Sequence, residues 1–329
     1  LNMVSVMGKR GLFLVWLCLV NILPGMAQTE KLIDYVNPFV GTDGYGNVYP
    51  GAQIPFGGIQ MSPDTDSKYY DAASGYKYNH STLLGFSLTH LSGTGIPDLG
   101  DFLFISGTGE MKLDPGTREE PEKGYRSRYS HEKEWASPNY YAVELSDYGV
   151  KAEMTSGVRS GMFRFTYPQS DKAFIMIDMN HTLWQSCEWA NLRMENDSTI
   201  TGYKLVKGWG PERHIYFTAT FSKKLTGLRF MQNKKPVIYN TSRFRSSYEA
   251  WGKNLMACIS FDTKAGEEVI VKTAISSVST NGAKNNMAEL AGLTFDDLKA
   301  KGEALWEKEL GKYTLTADRK TKRTFYKIG

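Results

Sequence analysis

Cysteine is scarce, with 3 in 329 residues. Cys18 falls in the N-terminal apolar run, which leaves Cys187 and Cys258 to form one disulfide or to stand as two separate buried thiols. Neither has the neighbouring cysteine or histidine of a zinc pair. Lysine- and arginine-rich blocks are also missing, and the formal charge of +4 falls to +2 once Lys9 and Arg10 are set aside. A surface that tracks nucleic-acid phosphates is therefore not expected. The one long apolar run, Leu12 to Leu23, is short for a membrane span. With Lys9 and Arg10 before it and the small residues Gly25 and Ala27 after it, it reads as a secretory signal over residues 1–27. No lipobox-type cysteine follows, so a soluble exported protein, periplasmic or extracellular, is expected, without a membrane anchor after cleavage.

Several catalytic signatures are absent as well. "HEKEW" at His131 lacks the second histidine of a zinc-protease helix, and "GFSLT" at Gly85 lacks the closing glycine of a hydrolase nucleophile elbow. "GTDGYG" runs into a proline-rich loop where a dinucleotide-binding helix would be required.

What is present is a β-rich chain, 41% hydrophobic and 13% aromatic. Runs such as "DFLFISG", "AFIMIDM", "IYFTATFS", "MACISF" and "EVIVKTAISSV" are rich in β-branched and aromatic residues and are separated by turns. In "YYAVELSDYGVKAEMTS" a hairpin turn is expected at Asp147 to Gly149. The pattern predicts a mainly β fold, a large antiparallel β-sandwich over residues 28–283. After Asn281 the composition changes. "NMAELAGLTFDDLKAKGEALWEKELGKY" spaces apolar residues at helical intervals with Thr294 as N-cap, which predicts one or two amphipathic linker helices within 284–329. Their apolar face needs a cover, either the sandwich or a further domain.

Two loop-like stretches concentrate chemistry. "NPFVGTDGYGNVYPGAQIPFG", residues 37–57, is closed to helix by Pro38, Pro50 and Pro55, and to continuous strand by its glycines. "SGYKYNHSTLLGFSLTHLSGTGIPDLGDFLFISG", residues 74–107, carries His80, His90, Ser92, Thr94, Asp98 and Asp101. Two carboxylates three apart suit a sugar hydroxyl, a hard cation or half of an acid/base pair, yet such a pair in a loop commonly satisfies local backbone donors. A lone histidine is commonly a hydrogen-bonded structural residue. Exposed aromatic rings beside carboxylates and amides grip the flat faces of sugars, although most rings here are expected in the core.

Taken in order, "YVNPFVGTDGYGNVYPGAQIPFGGIQMSPDT", "SGYKY", "GFSLTHLSGTGIPDLGD", "YSHEKEWASPNYYAV", "VRSGMFRFTYP" and "LWEKELGKY" resemble glycoside hydrolase family 92. These are exo-acting, calcium-dependent, inverting α-mannosidases. The resemblance implies an N-terminal sandwich joined by linker helices to a C-terminal (α/α)6 barrel, with mannose-containing glycans bound between them. It makes Gly41, Thr42, Asp43 and Gly44 candidates for the mannose-pocket wall. "YDAASGY" is similar to a segment in which a tryptophan serves the leaving-group subsite of α-1,2-specific members. Tyr70 stands there, followed by Asp71, so a substrate-binding ring is retained while the α-1,2 preference is left open. His90, Asp98 and Asp101 match a further family segment as pocket-shaping residues. The resemblance also implies that the general acid, the general base and most groups around the calcium belong to the barrel. The chain's last residues, "RTFYKIG", fall where its first helix should begin. No catalytic residue is therefore expected in this chain, which alone should be inactive. The competing reading is a stand-alone, non-catalytic carbohydrate-binding sandwich, and a third is a scaffold that docks a separate barrel subunit.

Overall fold

The computed structural model describes residues 30–67, 70–237 and 248–326, with Asp71 described only in its backbone. The segment assigned to a secretory signal lies outside them. Among the described residues no helix is long and apolar enough to cross a membrane.

Two antiparallel sheets carry the fold. Among the described residues the larger has nine strands, in the spatial order Tyr248–Gly252, Ser186–Asn196, Thr199–Lys207, Arg213–Phe221, Glu267–Ser276, Ser160–Tyr167, Val150–Ser156, Tyr140–Leu145 and Glu134–Ser137. The smaller has seven: Ser62–Asp64, Gly85–Ser87, Leu103–Thr108, Ser170–Asp178, Leu255–Thr263, Gly227–Gln232 and Lys235–Pro236. A two-stranded ribbon joins Thr82–Leu83 to Ser127–Arg128.

Alternation along the strands explains which faces meet. In Ser160–Tyr167 the side chains of Phe163, Phe165 and Tyr167 are fully buried, while Arg164 and Thr166 between them are only half-buried. Opposite faces of a strand alternate with period two, so one such run places a row of rings against the facing sheet. Phe104 of the seven-stranded sheet meets Phe163 at 5.0 Å and Phe217 at 6.4 Å between ring centroids, both from the nine-stranded sheet. The expected mainly β sandwich is the observed fold. The hairpin turn ends on Gly149 at φ +63°, a left-handed conformation that glycine adopts without a Cβ penalty.

Among the described residues three α-helices follow the sandwich: α1 (Thr280–Asn286), α2 (Phe295–Leu310) and α3 (Arg319–Tyr326). Thr294 caps α2 in a reciprocal capping box with Asp297, which satisfies two of the free N–H groups at the helix start. Phe295 and Leu298 pack with Tyr140, Ala142 and Met162 on the outer face of the nine-stranded sheet. The sandwich itself therefore covers that part of the helix. Further along α2, the Trp306 indole donates to the Gln53 carbonyl at 2.7 Å and Glu307 accepts from the Ile33 N–H at 2.9 Å. Cys187 and Cys258 are two separate buried thiols.

Candidate functional site

The proline- and glycine-rich loop at 37–57 is held from below. The Tyr78 N–H donates to the Thr42 carbonyl at 3.0 Å, and buried Lys77 donates to the Gly44 carbonyl. The Gly93 N–H and the Ser74 hydroxyl both donate to the Asn47 carbonyl. Thr42 is buried, with its hydroxyl spent on the Phe39 carbonyl at 2.7 Å. Asp43, Gly44 and Tyr45 form the exposed tip, where the Asp43 carboxylate accepts its nearest bond from the Gly44 N–H. Gly41 has φ +86°, and a Cβ on Gly46 would stand 2.2 Å from the Gly41 carbonyl oxygen, so the loop can fold back on itself only with glycine there.

Beneath it lies a buried ionic chain. Asp64 accepts from His90 Nε2 through one oxygen and from His181 Nε2 through the other, each at 2.8 Å. His90 Nδ1 faces the Gln60 carbonyl oxygen, also at 2.8 Å. The Ser87 hydroxyl also lies 3.1 Å from His90 Nε2. Burial opposes ionisation of Asp64, but the His90 and His181 rings overcome it and hold the carboxyl well below the usual aspartate range. Gly75, at φ +83°, passes so close that a Cβ would lie 2.0 Å from Asp64 Oδ1.

The chain continues through fully buried Lys204, whose ammonium donates to the His181 carbonyl at 2.6 Å and meets Asp101 Oδ1 at 3.0 Å. Arg213 grips Asp101 in a two-pronged contact at 2.5 and 3.2 Å, and the Thr89 hydroxyl donates to it at 2.7 Å. Burial again opposes the charge on Asp101, yet Lys204 and Arg213 drive its carboxyl far below the usual range. Asp98 accepts from the Leu99 N–H at 2.6 Å and the Trp209 N–H at 3.2 Å. Asp98 and Asp101 are thus both buried and turned into the protein, where they fix loops instead of sharing an external ligand.

These bonds draw the loops into one patch with aromatic rings on its surface. Tyr70 and Trp184 are 58% and 60% exposed and stand edge to face with centroids 6.3 Å apart, and Trp209 is 64% exposed. Trp184 takes φ +66° and Leu99 φ +71°, conformations costly for bulky residues and common at functional loops. The side chain of Asp71 lies outside the described residues. Among the described residues no group of three His, Cys, Asp or Glu side chains could hold a metal ion.

Sequence reasoning gathered His90, Asp98, Asp101, Tyr70 and the loop tip, but missed Asp64, His181, Lys204, Arg213, Trp184 and Trp209. Lys204 left a signal: in Thr199–Lys207 it shares the inward phase with Ile200, Gly202 and Val206. Asp64 and His181 left none, being 117 residues apart in the chain.

An antiparallel sandwich with its loops gathered around an exposed aromatic patch defines a class, and comparison gives the family. The profile of the glycosyl hydrolase family 92 N-terminal domain matches residues 35–276, and the chain belongs to that family. Among solved structures it is similar to the family GH92 α-mannosidase BT3965 from Bacteroides thetaiotaomicron, solved alone and in complex with mannoimidazole. The identity is 90% and the TM-score 0.88, over 90% of this chain and 39 to 40% of that one. The family GH92 inverting mannosidase BT2199 from Bacteroides thetaiotaomicron VPI-5482 shares the fold at 24% identity and TM-score 0.76, over 91% of this chain and 39% of that one. An uncharacterized secreted glycosidase of Arthroderma benhamiae is 30% identical over 148 residues, 44% of this chain and 19% of that protein. The chain therefore spans about two-fifths of the solved relatives and one-fifth of the fungal protein.

Proposed function

We propose that this chain works as the N-terminal part of an exported α-mannosidase that removes terminal mannose from glycans with inversion, in the α-1,2 class or a close variant of it. The observation that carries the reading is the convergence of the 37–57 loop with Tyr70, Trp184 and Trp209 on a rigid ionic base, in a chain so similar to a family GH92 α-mannosidase. Gly41 to Gly44 offer backbone for close approach to a sugar, and Tyr70 with Trp184 offer ring faces for the leaving-group side. His90, Asp98 and Asp101 act through the loops they hold.

Inverting hydrolysis needs an acid on one side of the bond and a base activating water on the other. Asp98 and Asp101 are both committed to protein donors, so we assign these roles to a C-terminal (α/α)6 barrel of the kind the family resemblance implies. Calcium belongs to the same reading as a cofactor that would grip sugar hydroxyls, with ligands mostly outside this chain. Hydrolysis of α-1,2-, α-1,3- and α-1,6-mannobiose, with and without calcium, tests this on the chain alone and on its fusion to a family-92 barrel. Activity is expected only in the fusion, and Tyr70→Ala there should raise KM more than it lowers kcat. Hydrolysis by the chain alone would overturn the division of labour. The exposed rings also favour a second reading, a carbohydrate-binding module sufficient in itself, which predicts mannan binding by the chain and an inactive fusion.

A further inference from the structure

Trp184 borders a second space, a cleft of about 730 Å³ against the outer face of the seven-stranded sheet. This volume is within the range of sites that take small organic ligands. Its floor is apolar: Met256 and Tyr125 belong to the cluster that backs that sheet. Its walls come from segments distant in the chain, represented by Asp114, by Asn180 with Gln185, by Asn233 and by Asn254.

The chemistry of those walls selects a ligand class. Both carboxylates already have partners. Asp114 is paired with Lys234, and Asp178 accepts from the Tyr125 hydroxyl at 3.3 Å and the Asn180 N–H at 2.8 Å. The one lysine on the cleft wall is thus spent on Asp114 and does not draw in an anion, while the carboxylates accept from hydroxyl and N–H donors as they would from a sugar. They do offer oriented polar groups. Asn254 donates to the Asn233 side-chain carbonyl at 2.8 Å, which sets the direction of both amides, and Gln185 is anchored on the Pro97 carbonyl at 2.7 Å. Fixed amides, carboxylates that still have lone pairs, an apolar floor and an exposed indole at the lip match a neutral ligand rich in hydroxyls with apolar faces.

We propose that this cleft is a glycan-binding site in its own right, which takes a neutral oligosaccharide of two or three units. Its identity as a mannose glycan rests on the function proposed above; the binding itself does not. Because Trp184 touches both the cleft and Tyr70, a chain held here would run beside the loop patch. The site would retain a branched or polymeric glycan while its end is presented to the loops.

The test is calorimetric titration of α-1,2-, α-1,3- and α-1,6-linked mannotriose into the full chain. Three proteins are compared: the wild type, the double variant Asp114→Ala/Asn180→Ala, and Trp135→Ala, an exposed indole on the edge strand Glu134–Ser137 that does not line the cleft. Asp114 and Asn180 are largely exposed, so the double variant should fold, with its thermal midpoint as the control. Binding by the wild type is expected, weakened about tenfold in the double variant, the equivalent of one or two lost hydrogen bonds, and unchanged in Trp135→Ala. No binding up to about 10 mM, or binding kept at full strength in the double variant, would overturn the proposal. Failure here alongside mannobiose hydrolysis by the barrel fusion would leave the proposed function standing. Binding here with an inactive fusion would do the reverse.

Discussion

Replacing Lys204 by methionine removes the only ammonium between Asp101 and the His181 carbonyl, in a place where neither side chain of the Lys204–Asp101 pair is exposed to water. Methionine matches the length of the stem, so the change tests charge and hydrogen bonding more than packing. Breaking a buried pair from one side costs about 3–5 kcal/mol, because the partner's charge stays behind. Arg213 and Thr89 still hold Asp101, which argues for the lower end, about 3 kcal/mol. At roughly 2–4 °C per kcal/mol for a domain of this size, the thermal midpoint should drop by about 6–12 °C. Urea and thermal unfolding followed by circular dichroism would measure it. The double variant Asp101→Asn/Lys204→Met removes both charges and should cost less than the sum of the single changes, by about 0.5–3 kcal/mol. A Lys204→Met loss under about 1 kcal/mol, or strict additivity in the cycle, would refute the claim that this pair anchors the loops.

Three further expectations can be measured on the same protein. Asp64 and Asp101 ionise far more readily folded than unfolded, where aspartate titrates near about 3.9. Below that pH the unfolded state binds more protons, so stability should fall steadily as pH drops from about 4, and Asp64→Asn should flatten the acid limb of a midpoint-versus-pH curve. A curve just as steep in the variant would exclude Asp64 as a source. Gly75→Ala combines a left-handed backbone with a Cβ 2.0 Å from Asp64 Oδ1, and should cost at least about 2 kcal/mol in urea unfolding. A neutral result would mean that the 75–78 segment can move away from Asp64. Burial raises the Cys187 thiol and pushes that of Cys258 up to about 12, so neither should react with a thiol reagent at pH 8 until the protein unfolds. Rapid labelling of the native chain would contradict their enclosure.

What the chain reveals unaided depends on distance along it. The alternation of Phe163, Phe165 and Tyr167, the turn at Gly149 and the cap at Thr294 all depend on neighbours within a few residues, and each could be read directly. Sheet order could not: Ser170–Asp178 lies between Leu103–Thr108 and Leu255–Thr263, partners far from it in sequence on both sides. The candidate site divides the same way. Glycine and proline punctuation marked the 37–57 loop, whereas the pairing of Asp64 with His181 and of Asp101 with Lys204 and Arg213 exists only once the sheets have packed. The carboxylate pair at Asp98 and Asp101 had two meanings in the sequence, and burial decides between them by filling both side chains with protein donors.

That outcome bears on how the two ends of the sandwich differ. A buried ion pair seldom adds net stability over apolar packing, yet here Asp64, His90, His181, Lys204, Asp101 and Arg213 run in series beneath loops that carry exposed rings. The aromatic core beneath Phe104 and Phe163 would close the sandwich without them. What the ions add is direction. Each oxygen of Asp64 accepts from one histidine, and those histidines sit on segments that hold the Gln60 and Lys204 positions in turn, so displacing one loop would leave a buried charge unpaired elsewhere in the series. Loops tied in this way would lose little freedom on binding the sugar proposed above, and the strain at Trp184 and Leu99 can persist because the network beneath over-determines their geometry. On the function proposed above, the ionic chain is the foundation of a preorganised binding wall.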